Sequence, residues 1–314
     1  MNPGTLTADA VKTQALALGF DACGVAPAAD FPELAFFHEW LDRGYAGDMA
    51  YLHRSAARRA DVRRVLPAAR TVIVTATNYN TDRPYSTEIA DPGRAHIARY
   101  AWGDDYHSVV GGRMDALLAW MRDLSSEPFE ARTYVDTGPV QERVYAQYAG
   151  VGWIGKNACV IHPRLGSWIF LAEIICSLPL QLDTPALDQC GTCTLCLDAC
   201  PTRALVAPGV LDSTKCISYL TIERRGDFTA AERAAIGSHV YGCDVCQEVC
   251  PWNAVAPCSA DPVWQPRPAW DGVNLLSLAE RSDAELSAAM RGSAMRRAKV
   301  QGLRRNIAAA LSRS

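Results

Sequence analysis

Several features that would settle a protein's class at once are missing from this sequence. The opening MNPGTLTADAVKTQALALGF holds one lysine, a Thr-Asp helix start and amphipathic spacing. It lacks the charged and apolar regions of a secretory leader, which predicts a cytoplasmic protein. The longest apolar run, GSWIFLAEIICSLPL, is interrupted by Glu173, Ser177 and Pro179, so it reads as a buried strand and its exit loop and no membrane span is expected. No G-x-G-x-x-G follows a strand and no P-loop occurs, so a nucleotide cofactor is not indicated. There is no low-complexity segment and no internal repeat longer than the cysteine runs. A net charge of only -3 with 49% hydrophobic residues over 314 positions excludes a disordered or fibrous chain and predicts a soluble protein of about two domains with a sizeable core.

What is present falls into three stretches. Residues 1-185 alternate helix and strand signals and predict an α/β domain with a central sheet. TADAVKTQALALG reads as a helix stopped by Gly19, DACGVAP and TVIVTATNY as strands, and DDYHSVVGGRMDALLAWMRDL as a long amphipathic helix. ARTYVDTG reads as a strand, PVQERVYAQYAG as a helix opened by Pro139 and closed by Gly150, and ACVIHP and GSWIFLAEIIC as two more strands. Over 186-258 cysteine, proline and glycine replace the periodic pattern, apart from one helix near TAAERAAIGSHV. Residues 259-314 begin Pro- and Trp-rich and finish as helices. The expected class is mixed, α+β or α/β: an N-terminal sheet domain, a ferredoxin-like middle and a short helical end. From Arg291 to Arg313 that end carries seven basic residues and no acidic one, either a solvated face or a contact for an anionic partner such as an RNA backbone.

Twelve cysteines are grouped late in a long chain, which in a reducing compartment favours metal binding over disulfides. CGTCTLCLDACP supplies Cys190, Cys193, Cys196 and Cys200 with the ferredoxin spacing that holds three thiolates on one [4Fe-4S] cubane and sends the fourth to a second. CDVCQEVCP supplies Cys243, Cys246 and Cys250, but valine stands where its first cysteine belongs, and Cys216 is the only cysteine between the runs. By the crossing rule one cluster takes Cys190, Cys193, Cys196 and Cys250, and the other Cys200, Cys216, Cys243 and Cys246. Zinc is the rival for clustered CxxC motifs, but suits a crossing pattern repeated twice badly. Cys23, Cys159 and Cys176 lie in strand-like segments and read as small core residues, while Cys258 stays open. Two clusters alone would make an electron carrier; the structured domain before them argues for a site where the electrons are used. Within it YVDTGPVQER places Asp136 at a strand end, where it either caps the next helix or does chemistry.

The ordered set RYAWGDDYH, VDTGPVQER, GWIGKN, GSWIFLAEI, CGTCTLCLDACPTRA, KCISYLTIE and GCDVCQEVCPWN resembles the epoxyqueuosine reductases, cobalamin-dependent iron-sulfur enzymes of tRNA queuosine synthesis, over nearly the whole chain. The resemblance implies a base-off cobalamin on the first domain, fed by the two clusters, reducing the epoxide of epoxyqueuosine at the tRNA wobble position to queuosine. It implies Asp136 as proton donor, an acid whose pKa is raised beside the corrin. By the same match Arg59, Arg99, Tyr106, His107, Lys156, Asn157, Ser167 and Ser218 are candidates for lining the cobalamin or substrate pocket, although His107 could equally be structural. A tRNA substrate would give work to Arg224, Arg225, Arg296, Arg297, Arg304 and Arg305. The expected partners are tRNA carrying epoxyqueuosine and an electron donor such as flavodoxin or ferredoxin, with the chain monomeric. Some family members continue into a helical repeat module after the segment matching RRNIAAAL, so a smaller tRNA footprint is expected here. Three rivals remain: a reductive dehalogenase-like reductase of small molecules, a plain electron carrier, and an RNA-binding protein with structural clusters.

Overall fold

The structure, a computed structural model, describes residues 6–312; Arg313 of the basic C-terminal stretch lies outside them. Its centre is a four-stranded sheet in the order Ala22–Pro27, Thr71–Asn78, Ile169–Cys176, Ala131–Tyr134. Every pairing in it is antiparallel. The mixed class expected from the sequence thus takes its α+β form: helices lie between the strands in sequence, but each returning strand enters from the opposite end.

The two central strands are apolar on both faces because both faces are covered. Val72, Val74, Ala76 and Ile175 point into one apolar cluster with Leu34, Val62, Leu66, Val144 and Tyr145. Ile73, Ala172, Ile174 and Cys176 point into the other, larger one with Val110, Met114, Leu117 and Met121. Those last four follow the spacing of one helical face, on a helix that runs Tyr106–Leu124 and is capped by Asp105. At the N-terminus the Ala8–Ala17 helix is capped by the Thr7 hydroxyl and ends beyond Leu18 at Gly19, whose φ of 87° is left-handed.

The larger cluster does not stop at residue 185. Trp264, Trp270, Leu278, Leu286, Met295, Leu303 and Ile307 share it with the sheet and the Tyr106–Leu124 helix. Fully buried Asn306, on the helix Lys299–Leu311, donates to Thr221 O at 2.7 Å and Val240 O at 2.8 Å, tying the last helix to the cysteine-rich segment. Two helices, Pro32–Asp42 and Ala50–Arg59, fill a stretch for which the sequence pattern predicts no element. The helix expected from Pro139 begins only at Glu142. Gly138 is spent turning the chain over Tyr134, where a Cβ would fall 2.4 Å from the ring. No helix among the described residues is long and apolar enough to cross a membrane.

Candidate active site

The fold gathers the seven run cysteines and Cys216 into two groups of four. Burial pushes the Cys196 thiol up, and the neighbouring Cys250, Cys190 and Cys193 push it further. Burial likewise raises Cys216, Cys243 and Cys246; Cys200 adds to the first, and Cys216 to the other two. Cys190, Cys193, Cys196 and Cys250 therefore share one place, and Cys200, Cys216, Cys243 and Cys246 another. Among the described residues no three ligand side chains converge as a single ion requires, whereas a cubane spreads its thiolates over separate irons. The donor set fits two clusters, and iron binding would supply the ionisation that burial opposes.

Cys159, expected in the core, lies between the groups: burial raises its thiol to about 12, and Cys250 and Cys216, one from each group, add to the rise. Several residues carried over as cofactor or substrate contacts brace these loops. Lys156 Nζ donates to Gly191 O at 2.6 Å and Cys193 O at 2.9 Å. Asn157 donates to Cys246 O at 3.3 Å, and Ser218 to Cys243 O at 3.5 Å. Buried Ser167 donates to Gln247 and accepts from Asn253, fastening the second loop to the sheet. Arg99 is only 2% exposed. Its guanidinium donates to Thr81 and to Arg83 O and lies over the Tyr85, Trp102 and Trp168 rings. It therefore holds the chain together.

Asp136, Tyr106 and His107 do converge. Asp136 follows the Ala131–Tyr134 strand with φ 57°, a left-handed conformation that aspartate tolerates better than most residues. Tyr106 donates to Asp136 Oδ2 at 2.7 Å, and His107 Nε2 lies 3.4 Å from the same oxygen. The other imidazole nitrogen, Nδ1, is 2.8 Å from Asp105 Oδ1, so the residue that caps the helix also aims the histidine. Tyr106 is stacked between His107 and Phe170, which fixes its hydroxyl.

Electrostatics reverses one expectation. Burial works to raise the Asp136 pKa, but hydrogen bonds from His107 and Tyr106 and the charges of His107 and Arg59 outweigh it and leave the carboxyl below its usual value. Burial works to lower His107, yet its bonds and charge interactions with Asp105 and Asp136 lift it to about 9. In the chain alone the aspartate is ionised and the histidine holds the proton.

Beside this acid lies an apolar floor. Tyr134, Ile154, Ile169 and Leu171 pack against the smaller cluster while remaining only partly buried. From there Glu142 and Arg143 open a helix, Arg143 donates to Ala158 O at 2.5 Å, and the next residue is Cys159, between the cysteine groups. Arg59 borders the same ground, donating to Val140 O at 2.9 Å. A partly open apolar surface with an acid at one side and electron-carrying sites at the other suits a large flat macrocycle such as a corrin. A cleft of about 380 Å³ also opens beside His107, lined by Gly111, Met114, Asp115 and residues of the 133–137 segment. Sequence reasoning missed Glu142, Glu173 and Asp105 as parts of this region. The one visible signal was Glu173, a charged residue within an otherwise apolar strand.

The six arginines divide. Arg305 donates to Arg224 O, Gly226 O and Leu220 O and lies 4.0 Å over Phe228. Arg304 is committed to Asp283, Ala279 O and Arg281 O. Both are braces of the last helix rather than free phosphate contacts. Arg224 faces Asp48 and Glu232 at 3.8 and 3.9 Å, and Arg225 donates to Ile222 O at 3.1 Å. Exposed Arg296 and Arg297 border the acid: Arg296 acts on Asp105, and Arg297, paired to Glu223 at 2.7 Å, has Asp136 among its charged neighbours.

Comparison with known proteins gives the family. Residues 59–137 match the family described as "Epoxyqueuosine reductase QueG, DUF1730", and residues 189–253 match a 4Fe-4S double cluster binding domain. The epoxyqueuosine reductase of Gloeobacter violaceus is 45% identical over 98% of this chain and 97% of its own. That of Vibrio cholerae is 38% identical over 97% of this chain and 82% of its own. An epoxyqueuosine reductase crystallised with an epoxyqueuosine-modified tRNA-Tyr stem loop superposes with a TM-score of 0.84 at 31% identity, covering 97% of this chain and 80% of that one. By sequence along its whole length and by fold, the chain belongs to the epoxyqueuosine reductase family.

Proposed function

We propose that this protein is an oxidoreductase that reduces epoxyqueuosine to queuosine at the wobble position of tRNA, with a base-off cobalamin on the apolar floor and two [4Fe-4S] clusters on the two cysteine groups. The observation that carries the reading is the placement of Asp136, held by Tyr106 and His107, beside a partly open apolar surface that leads to eight cysteines. When bound, the cobalamin supplies a cobalt centre that turns one-electron delivery from low-potential clusters into the two-electron reduction an epoxide needs.

The rest is work for the chain's own residues. Asp136 Oδ2 is positioned by two side chains, so its direction is set before substrate arrives. Covering it with the modified base removes water, which disfavours the ionised Asp136–His107 pair and moves the proton from Nε2 to the carboxyl 3.4 Å away. The neutral acid then donates to the departing epoxide oxygen. Arg296 and Arg297, exposed beside this site, hold anticodon-loop phosphates while the base is splayed inward. A soluble donor of the flavodoxin or ferredoxin class feeds the clusters, and the chain works as a cytoplasmic monomer.

The test is anaerobic incubation of cluster-reconstituted protein with cobalamin, a strong reductant and epoxyqueuosine-containing tRNA, read by nucleoside mass spectrometry. Loss of one oxygen from the modified base, dependent on added cobalamin, is expected. Intact clusters and bound corrin with no conversion would overturn the reading.

A further inference from the structure

Reduction of an epoxide to an alkene consumes two electrons and two protons and releases water. The electrons come from the reductant through the clusters, and Asp136 carries one proton, so a second proton must reach the same spot in each cycle. Behind Asp136 stand two carboxyls that this chemistry has not used. Glu142 Oε1 accepts the Asp136 backbone N–H at 2.6 Å. Glu173, at the middle of the sheet, is 0% exposed, and neither of its oxygens has a hydrogen-bond partner among the described residues. No cofactor atom can reach a side chain with no accessible surface, so its proton is not there to hold the corrin.

We propose that buried Glu173 and half-buried Glu142 form a proton store behind Asp136, which refills the donor and supplies the second proton of each turnover. An ionised carboxylate with both oxygens unbonded cannot persist in such a site, so Glu173 is held as the neutral acid. Burial, then the charge of Asp136, raises Glu142 to about 8, so it is protonated at neutral pH but able to release. The charged groups facing the pair are Asp136, Arg59 and Arg143. Both cations are anchored elsewhere, Arg59 on Val140 O and Ser55 Oγ and Arg143 on Ala158 O. A proton leaving Glu142 has only to cross to the side chain of the residue whose N–H it already holds.

This rests on Asp136 as the donor, and the experiment separates the two ideas. Single-turnover rates of pre-reduced, cobalamin-loaded protein are measured across pH for wild type, Asp136→Asn, Glu142→Gln and Glu173→Gln, with tRNA Kd and carbon-13 NMR titration of the glutamate carboxyls alongside. Glutamine keeps the size of each side chain and, at 142, the acceptor for the Asp136 N–H, so a purely structural role predicts wild-type behaviour in both. The store predicts unchanged Kd, a rate about tenfold or more lower at pH 7 in both glutamine variants, a wild-type rate that declines above pH about 8, and loss of that decline in Glu142→Gln. An inactive Asp136→Asn beside glutamine variants with wild-type rates and pH profiles would refute the store alone. A fully active Asp136→Asn would refute the donor reading on which it stands.

Discussion

Replacing Asp136 by asparagine removes the acid while keeping an oxygen for the Tyr106 hydroxyl, now 2.7 Å away. Positioned general acids contribute roughly 10²- to 10⁴-fold, about 3 to 5 kcal/mol of barrier, and the single-turnover rate should fall by that much. The variant should still bind corrin, assemble both clusters and bind tRNA, because the polar partners of Asp136 are Tyr106, His107 and Glu142, none of them in a cysteine loop. A second readout follows from His107. At 3.4 Å, and with both side chains partly in water, the lost charge is worth about 1 kcal/mol at the dielectric of water, or a little under one pH unit. The His107 pKa should therefore drop from about 9 by roughly one unit and stay above its ordinary value, since Asp105 remains at 2.8 Å. Because the raised value means the folded chain binds this proton more tightly, the stability it confers is present below the ordinary value and lost as pH rises through the folded one. Imidazole NMR titration checks the shift. A variant within tenfold of wild-type rate would refute the donor assignment, and an unmoved His107 titration would refute the pairing.

Three further outcomes follow. Arg296→Ala with Arg297→Ala should lower the salt slope of tRNA binding by about 1.4, near 0.7 per single-strand phosphate contact, whereas Arg305→Ala should leave the slope alone and cost roughly 2–4 kcal/mol in denaturant unfolding through its lost carbonyl bonds and Phe228 contact. Cys216→Ser should cost about half the bound iron after reconstitution while sparing the cluster on Cys190, Cys193, Cys196 and Cys250; iron analysis with EPR decides, and unchanged iron would reject Cys216 as a ligand. Gly24→Ala puts a Cβ 2.0 Å from the Ala149 carbonyl oxygen, so the strand and the Glu142–Tyr148 helix must separate, at about 1–3 kcal/mol in thermal unfolding; a wild-type melting temperature would contradict the packing.

Local rules made much of this molecule legible in advance. Cysteine spacing is short-range geometry, so the two runs could be read as iron-sulfur motifs before any fold was known. Caps, Gly19 and the 3.6-residue apolar period marked the Ala8–Ala17 and Tyr106–Leu124 helices because those signals lie within a few residues of what they specify. The motif around Asp136 could be recognised, but its protonation could not. A carboxyl's pKa depends on what other segments bring to it, and here two side chains of a distant helix hold it ionised. Tertiary structure likewise decided the antiparallel sheet and the joint core of the first and last segments. It turned Arg99, Arg304 and Arg305 inward, since charge in a sequence does not say whether carbonyls or solvent will meet it. It also placed Glu142 and Glu173 behind Asp136 although 31 residues separate the two glutamates. The sequence by itself determined which chemical groups this protein carries and how the cysteines are spaced; only folding, by removing water and bringing remote segments together, determined which of those groups hold a proton, which hold the chain, and which face the substrate.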